Sequence, residues 1–356
     1  MDKQLLDIYS DYLICSFGKT TATGLSALLN GAISHDKVTR FLSGSDFTSK
    51  DMWELVKPTV REIQDDNAVL IIDDSIEEKL YTDESELNCW HWDHCFGRNI
   101  KGINFLTCLY RSGEMALPVS FQIIQKTEWE TDKKTGKQKR KCPKTKNEYF
   151  REMVAQCQTN QIPFRYVLAD AWFSSVENMV YLKKELKTEF IFPLKDNRKI
   201  ALSQEDKKQG RYVSISSLEM KENIAIEIWL EEVDFPLLFV KQVFKNKDGS
   251  QGFLYLVTSD TNLCGSSIQT IYQKRWKIEE YHKSIKSNAS FTQSPARTVR
   301  TQSNHIFACL WAYVKLEKLR LETKLNHFAM KGKLYRAALV SAYQELQILK
   351  IPATPA

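Results

Sequence analysis

Two apolar runs that each lead into an acidic residue constrain the fold of this chain more than any other feature. AVLIIDDS, residues 68–75, is apolar until Asp73, and FRYVLADAWFSS, residues 164–175, runs apolar into Asp170. Runs of this length predict strands that are buried on both faces. Such strands need neighbouring strands and covering helices. The pattern therefore predicts a mixed α/β protein in which two buried strands end in acids.

The segments around these runs predict the rest of the sheet. GINFLTCLY and ALPVSFQII, separated by RSGEM, predict two further strands that a hairpin could pair. Helices are predicted at about residues 147–159 and 175–186, and EFIFPL predicts a strand. Between residues 196 and 260, YVSISSL, IAIEIWL, LLFVKQVF and GFLYLVT predict a β-rich subdomain.

These patterns predict the domain organisation of the 356 residues. We expect a helical N-terminal region (1–66), a mixed α/β core (67–195 and 263–320), a β-rich insertion (196–262) and a helical C-terminal region (321–356). In the first region, TGLSALLNGAISHDKVTRFLSG predicts two short helices joined at Gly31-Ala32-Ile33, with Ser34 as an N-cap. A helix pair of this size can dock on DNA, although such pairs are also common for structural reasons alone.

Composition and charge limit the classes of function. No apolar run approaches the 18 residues of a membrane span, and the N-terminus lacks a signal-peptide pattern. Eight scattered cysteines without a CxxC pair fit reduced thiols, so we expect a cytoplasmic protein. The net charge of +6 is uneven: residues 126–146 carry nine basic and three acidic side chains, and residues 266–300 carry seven and two. This pattern favours a polyanionic partner such as nucleic acid, although the first segment could equally be a solvated loop.

The segment YQKRWKIEEYHKSIK, residues 272–286, predicts a helix with three faces. On an α-helix, Tyr272, Arg275, Glu279 and Lys286 fall within an arc of roughly 60°, next to an apolar stripe. A phenol, a guanidinium, a carboxylate and an ammonium on one face suit a phosphate backbone beside a metal ion. The alternative is a solvated face of ion pairs.

Asp73, Asp170 and Glu279 together offer the ligands of a hard metal ion. Two strand-end aspartates can converge at the carboxyl edge of one sheet, and a helix packed there can add Glu279. Three oxygen ligands suit Mg²⁺ or Mn²⁺, and two such ions about 3.5–4 Å apart could clamp a phosphodiester. Strand-end aspartates also commonly cap the next turn, which is the alternative role. Asp74 competes with Asp73 for the first position, because neighbouring residues on a strand point to opposite faces.

These motifs resemble those of cut-and-paste bacterial transposases of the DDE class, and specifically the YREK-bearing insertion-sequence-four family. The four signature residues match Tyr272, Arg275, Glu279 and Lys286, and RWxIEExHKxxK matches between them. IIDDS matches the context of the first acid, where the spacing to Ser75 favours Asp73, and LADAWF matches that of the second, Asp170. The β-rich segment before the third acid matches as well, so the resemblance covers about residues 68–320.

The resemblance implies an RNase H-like catalytic core (67–195 and 263–320) that cleaves double-stranded DNA at transposon ends and joins the freed 3′-OH to target DNA. It also implies that the N-terminal region (1–66) binds the DNA ends and that the protein is associated with the bacterial nucleoid. It implies Mg²⁺, with Mn²⁺ as a substitute, held by Asp73, Asp170 and Glu279. It also implies a homodimer on paired ends that can pass through a DNA hairpin. Tyr272, Arg275 and Lys286 would contact phosphates near the scissile bond. Trp276 would stack on a displaced base, or serve only as a core aromatic.

Two other classes of function stay open. One is an RNase H-fold nuclease that cuts without joining, and the other is a domesticated DNA-binding protein with an inactive site. The segment CWHWDHC, residues 89–95, holds zinc-ligand residue types in Cys89, His91, His94 and Cys95. Its spacing matches no standard zinc site. Packing by Trp90 and Trp92, or a DNA contact by His91 or His94, is the preferred interpretation.

Overall fold

The computed structural model describes residues 1–93, 97–131, 133, 136–246 and 248–350. The chain forms two compact units. The helical unit comprises Met1–Met52, Leu80–Ser85 and Glu280–Ala356, and the sheet unit comprises Trp53–Lys79 and Glu86–Glu279. The predicted mixed α/β class is confirmed.

The helices and strands have the following bounds. The helices are α1 (Lys3–Cys15), α2 (Ala22–Leu28), α3 (His35–Gly44), α4 (Ser49–Ile63), α5 (Lys146–Thr159), α6 (Val176–Val180), α7 (Gln204–Lys208), α8 (Gly265–Gln273), α9 (Lys277–Asn288), α10 (Val299–Thr323) and α11 (His327–Leu349). The strands are β1 (Val69–Glu78), β2 (Cys89–Asp93), β3 (Arg98–Ser112), β4 (Met115–Ile123), β5 (Glu128–Thr131), β6 (Gln138–Lys141), β7 (Tyr166–Ala169), β8 (Glu189–Leu194), β9 (Lys199–Ile200), β10 (Val213–Ser214), β11 (Ala225–Ile228), β12 (Leu237–Lys245) and β13 (Gln251–Thr258). Among the helices described, none combines the length and apolar character that a membrane crossing requires.

A nine-stranded sheet organises the sheet unit. Its strands follow the order β11-β12-β13-β8-β7-β1-β3-β2, and β4 also pairs with β3. Strand β1 is antiparallel to β3 and parallel to β7, and β7 is parallel to β8. All four residues of β7 and the first four of β1 are buried, as expected for strands covered on both faces. The mixed pairing around β1 is consistent with the RNase H-like core that the sequence predicted.

The strands of the β-rich segment extend this sheet, whereas the sequence analysis placed them in a separate subdomain. Strand β13 pairs antiparallel with β8, from Tyr255 opposite Leu194 to Thr258 opposite Ile191. Strand β8 is apolar and buried along most of its length, so an open edge there would leave apolar side chains and backbone groups without cover. The segment YVSISSL forms only the two-residue strand β10 and a 3₁₀ turn. The boundaries 196 and 262 stay a prediction.

Three other predictions about local structure are corrected. The basic segment 126–146, for which a solvated loop was the alternative to a DNA-binding segment, contains the hairpin β5–β6, in which Glu128 pairs with Lys141 and Glu130 with Lys139. Opposite charges on facing positions favour this pairing. The predicted helix over residues 175–186 consists of α6 followed by a π-helical turn. Strand β1 continues through both aspartates to Glu78 and does not end at them.

The helical unit is built around α1 and α10. The phenol of Tyr9 on α1 lies 3.0 Å from Nδ1 of His305 on α10, and both side chains are buried. The predicted helix pair near the N-terminus is present as α2 and α3. Ser34 caps α3 by accepting from the N–H of Lys37, and Gly31 takes a φ of +78° in the turn between the helices.

Candidate active site

The parallel pairing of β1 with β7 brings the first two acids to the same edge. The register aligns Ile71 with Leu168 and Ile72 with Ala169. Asp73 and Asp170 are the next residues of these two chain segments, so the buried strand pair leads directly into both carboxylates. The sequence analysis expected this convergence, and the sheet register is the physical reason for it.

The signature segment, residues 272–286, is not one continuous α-helix. Helix α8 ends at Gln273, a 3₁₀ turn spans Lys274–Trp276, and α9 begins at Lys277. The predicted arc assumed a regular α-helix with 100° per residue. This assumption fails across residues 274–276, because a 3₁₀ helix has about three residues per turn. Arg111 on β3 holds this turn to the sheet by donating from Nη1 to the carbonyl of Lys274 at 2.8 Å.

Tyr272 lies beneath the site and not on its surface. Its ring is buried, and its hydroxyl donates to the carbonyl of Ala169 at 3.2 Å. Ala169 is the last residue of β7 and precedes Asp170. Burial raises the pKa of Tyr272 above its usual value, so the phenol stays neutral. The contact joins the signature segment to the end of the strand that carries the second acid.

Arg275 joins the first and third acids. Its Nη1 donates to Oδ2 of Asp73 at 3.0 Å, and its Nη2 donates to Oε1 of Glu279 at 3.0 Å. Asp73 and Glu279 present carboxylate oxygens within 4.8 Å of one another. Asp170 adds its own charge nearby and accepts from the N–H of Trp172 through Oδ1 at 3.0 Å. This turn contact is the capping role expected for a strand-end aspartate.

The electrostatics of the cluster are dominated by buried negative charge. Burial and the neighbouring charge of Asp170 raise the pKa of Asp73 from 3.8 to about 8, although Arg275 opposes the shift. Burial also raises the pKa of Asp170. Burial alone would lower the pKa of Arg275, but Tyr272, Asp73 and Glu279 raise it above its usual value. A single guanidinium thus faces three carboxylates that repel one another.

This donor set fits a divalent cation. The three carboxylates supply hard oxygen ligands. Burial, with neighbouring negative charge, raises the pKa of Asp73 and of Asp170, so added positive charge would favour their ionised forms. A divalent ion would supply that charge and would favour the ionised form of each ligand. Asp73, Asp170 and Glu279 are therefore the residues that could hold Mg²⁺ or Mn²⁺.

Asp74 points to a different set of partners. Its Oδ2 accepts from Nζ of Lys146 at 2.6 Å and from Nδ2 of Asn104 at 2.9 Å. Its neighbour Asp73 instead contacts Arg275. The alternation of side chains along β1 separates the two aspartates in this way. This geometry supports Asp73 as the first acid of the cluster.

Two exposed tryptophans are close in sequence to residues of the acidic cluster. Trp276 follows Arg275 and is 65% exposed, so it is not the core aromatic that the sequence left open. Trp172 is 46% exposed, and Nζ of Lys146 lies 5.9 Å from its ring centroid. The sequence analysis did not select Trp172 or Lys146. The available signals were the LADAWF motif and the end of the basic segment.

Lys286 belongs to the helical unit. It lies on α9 and lines a pocket of about 460 Å³, together with Lys331 and the aromatic side chains of Phe17, Phe328 and Tyr335. Trp276, Arg275 and Tyr272 belong to the sheet unit.

Cys89 and His91 contact each other on β2. The sulfur of Cys89 lies 3.3 Å from Nε2 of His91, and both side chains are buried. Burial, with the nearby positive charge of Lys126, lowers the pKa of His91 to about 3, so the imidazole is neutral. The side chains of Trp90 and Trp92 are exposed. His94 and Cys95 lie outside the described residues.

The fold and the acidic cluster fit the class of metal-dependent enzymes that cleave phosphodiesters. The model of the DDE superfamily endonuclease family matches residues 2–212, and that of the transposase DDE domain matches residues 127–315. Each covers more than half of the chain. The first match includes Asp73 and Asp170, and the second includes Asp170 and Glu279. No curated protein matches the chain. The chain belongs to the DDE transposases, which confirms the predicted class.

Proposed function

We propose that this protein is a cut-and-paste DNA transposase of the YREK-bearing type. It cleaves double-stranded DNA at the ends of a mobile element and joins the freed 3′-OH ends to a target. The observation that carries the proposal is the contact of Arg275 with Asp73 and Glu279, with Asp170 near enough to interact electrostatically with Asp73 and Arg275, in a chain that belongs to the DDE transposases.

In this proposal Asp73, Asp170 and Glu279 hold two Mg²⁺ ions, which Mn²⁺ can replace. When bound, the ions stabilise the charge on the attacking and leaving oxygens of the phosphodiester. Arg275 keeps two of the carboxylates at 3.0 Å from its guanidinium and limits their repulsion. Arg275 can also donate to a phosphate oxygen, because a guanidinium has five donors in a planar fork. Tyr272 positions the turn that carries Arg275 through its bond to Ala169.

DNA binding is proposed for the basic and aromatic surface of the sheet unit. On the β5–β6 hairpin, the guanidinium of Arg140 lies 4.5 Å from the ring centroid of Trp129, which is exposed. Lys139 and Lys141 flank Arg140 on β6. Cations interleaved with aromatic rings suit phosphates and unstacked bases. Trp276 is the proposed stacking platform for a base displaced during hairpin formation.

Two contributions are proposed for the helical unit. The α2–α3 pair reads the element's ends, because α3 exposes His35, Lys37 and Arg40 while Val38 packs inward. Lys286 contributes a phosphate contact. The protein acts as a homodimer on paired ends.

The test is cleavage of a plasmid that carries the DNA flanking the gene, with Mg²⁺ or Mn²⁺ and with Asp170→Ala as the inactive control. We expect double-strand breaks at the element's ends that the variant and EDTA both abolish. A second plasmid captures joined products. Breaks without joined products would favour the nuclease, and end binding without breaks under either metal would favour the inactive DNA-binding protein.

A further inference from the structure

The sheet unit exposes most of its tryptophans. Among the described residues, five of the seven tryptophans of this unit are exposed, namely Trp90, Trp92, Trp129, Trp172 and Trp276. Indole rings are more often largely buried, in a core or in an interface, because they carry a large apolar area. Trp90 and Trp92 stand together on strand β2, so these two rings form a compact exposed aromatic surface.

Strand β2 has two faces of different chemistry. It pairs with β3 and is the last strand of the sheet order. Cys89 and His91 are buried on one face, whereas Trp90 and Trp92, each 50% exposed, lie on the other. A strand selected for packing alone would place its largest apolar side chains inward and its imidazole outward. The inverted pattern indicates that the two indoles serve a contact outside the chain.

Trp90 and Trp92 are spaced to hold one flat ring between them. Residues two apart on a strand leave the same face roughly 7 Å apart. Successive bases of a DNA strand lie about 3.4 Å apart, so this gap accepts one base with an indole on each side. Strand side chains stand roughly perpendicular to the sheet, which allows neighbouring rings to face each other. A base enters such a gap only when it is unstacked and unpaired, as in single-stranded DNA.

Strand β3 supplies polar and basic groups to the same face. The register places Lys101 opposite Trp90 and Asn99 opposite Trp92. Directly opposed residues of an antiparallel pair point to the same side of the sheet. The ammonium group of Lys101 suits the phosphate of a nucleotide whose base lies between the indoles. The amide of Asn99 can both donate to and accept from the edge of that base.

The neighbourhood of β2 is basic, which complements a polyanionic strand. Lys126 donates from Nζ to the carbonyl of Trp90 at 2.6 Å, and its own carbonyl accepts from Nη1 of Arg140 at 3.4 Å. The guanidinium of Arg140 in turn lies 4.5 Å from the ring centroid of Trp129. These contacts connect β2 to the β5–β6 hairpin, for which DNA binding is proposed above. A strand bound at the hairpin can therefore continue onto the indoles of β2.

The two indoles share the sheet face that carries the first acid. Asp73 lies opposite Thr107 on β3, and Thr107 is six residues from Lys101. An even separation on a strand keeps both side chains on one face. Lys101, and with it Trp90, thus lies roughly 20 Å from the level of Asp73 along β3. This distance is about six nucleotides of a DNA strand, so the indoles are within reach of DNA that is bound at the acids.

We propose that Trp90 and Trp92 clamp one unpaired base of single-stranded DNA, with Lys101 on its phosphate. The proposal rests on the proposed function, and it specifies the form of DNA that this surface binds. A strand that has separated from its complement near the cleavage site would be held there. The test needs no element sequence, metal ion or cleavage. The clamp can therefore fail while cleavage holds, and cleavage can fail while the clamp binds.

The test is fluorescence anisotropy of the full chain in EDTA with two labelled strands of about 12 nucleotides. One strand is oligothymidylate, and the other carries the same phosphates with abasic sugars. We expect wild type to bind oligothymidylate at least about tenfold more tightly, because each stacked base contributes about this factor. Trp90→Leu and Trp92→Leu should each weaken oligothymidylate binding about tenfold and leave abasic binding unchanged. Trp92→Phe keeps a stacking ring and should retain most of the affinity.

Phe253→Leu is the matched control. Phe253 on β13 is 46% exposed, and Nζ of Lys241 lies 4.5 Å from its ring centroid, so it is an exposed ring beside a cation on a different strand. It should keep both affinities. The proposal is overturned if Trp92→Leu weakens oligothymidylate binding no more than Phe253→Leu does. Circular dichroism of each variant reports whether the fold persists.

Two results with the wild-type chain would also overturn the proposal. Equal affinity for the oligothymidylate and the abasic strand would indicate phosphate contacts without a base clamp. Binding of neither strand would remove single-stranded DNA as the ligand and would favour a protein partner for the two indoles.

Discussion

Replacing Asp73 by Asn should stabilise the metal-free protein while abolishing its metal response. The pKa of Asp73 is raised from 3.8 to about 8, chiefly by burial and by Asp170. The folded state therefore binds a proton that the unfolded state releases between pH 4 and pH 8. Stability from this group is fully present below the unfolded value and is lost as pH rises towards about 8.

The magnitude follows from the same shift. At pH 7 the folded carboxyl stays protonated at a cost of about 4 kcal/mol relative to an isosteric neutral side chain. Asn also replaces the carboxyl group as the partner of Arg275, and a weaker contact there offsets part of the gain, so we expect Asp73→Asn to gain about 1–3 kcal/mol. At pH 4.5 the retained proton costs only about 1 kcal/mol, so the gain should vanish or reverse.

Urea unfolding in EDTA measures this difference at both pH values. Seven of the eight tryptophans lie in the sheet unit, so their fluorescence follows the part of the chain that carries Asp73. Adding Mg²⁺ should then stabilise wild type and leave the variant unchanged.

Asp74→Asn is the matched control. It removes the counter-ion of Lys146, whose Nζ lies 2.6 Å away, and should destabilise the protein by about 1–3 kcal/mol in EDTA. It should keep the response to Mg²⁺. The reasoning is refuted if Asp73→Asn is the less stable of the two variants in EDTA at pH 7.

The remaining predictions concern DNA cleavage and binding. Glu279→Ala should abolish cleavage and keep end binding in a gel-shift assay; retained cleavage would remove Glu279 from the metal site. Arg275→Lys should lower the cleavage rate at least about tenfold, because a bidentate donor to two carboxylates is lost, and an unchanged rate would reject that role. Tyr272→Phe removes one hydroxyl and should slow cleavage several-fold without changing end affinity; a loss of affinity equal to the loss of rate would instead indicate a phosphate contact. End binding should weaken steeply between 50 and 200 mM salt, roughly 10³-fold for six phosphate contacts, and a flat response would exclude the basic segments as a DNA track.

Several features were predictable because they depend on local chemistry. The β3–β4 hairpin, the strands β1 and β7 and the cap of α3 by Ser34 follow from apolar runs and turn residues. The α2–α3 pair follows for the same reason. The 3₁₀ turn at Lys274–Trp276 was missed because periodicity alone assumes a regular helix. Its cause lies in contacts distant in sequence, such as the bond from Arg111 to Lys274.

Apolar runs specify burial and parallel strands share an edge, so the acids that follow two buried stretches can be identified from the amino-acid sequence. The partner that each side chain contacts depends on the folded chain. The tertiary structure turned Asp73 towards Arg275 and Asp74 towards Lys146, buried Tyr272 under the site, and continued the sheet through β13. The physical reason is that alternation along a strand separates two faces, but only long-range pairing determines what lies on each face.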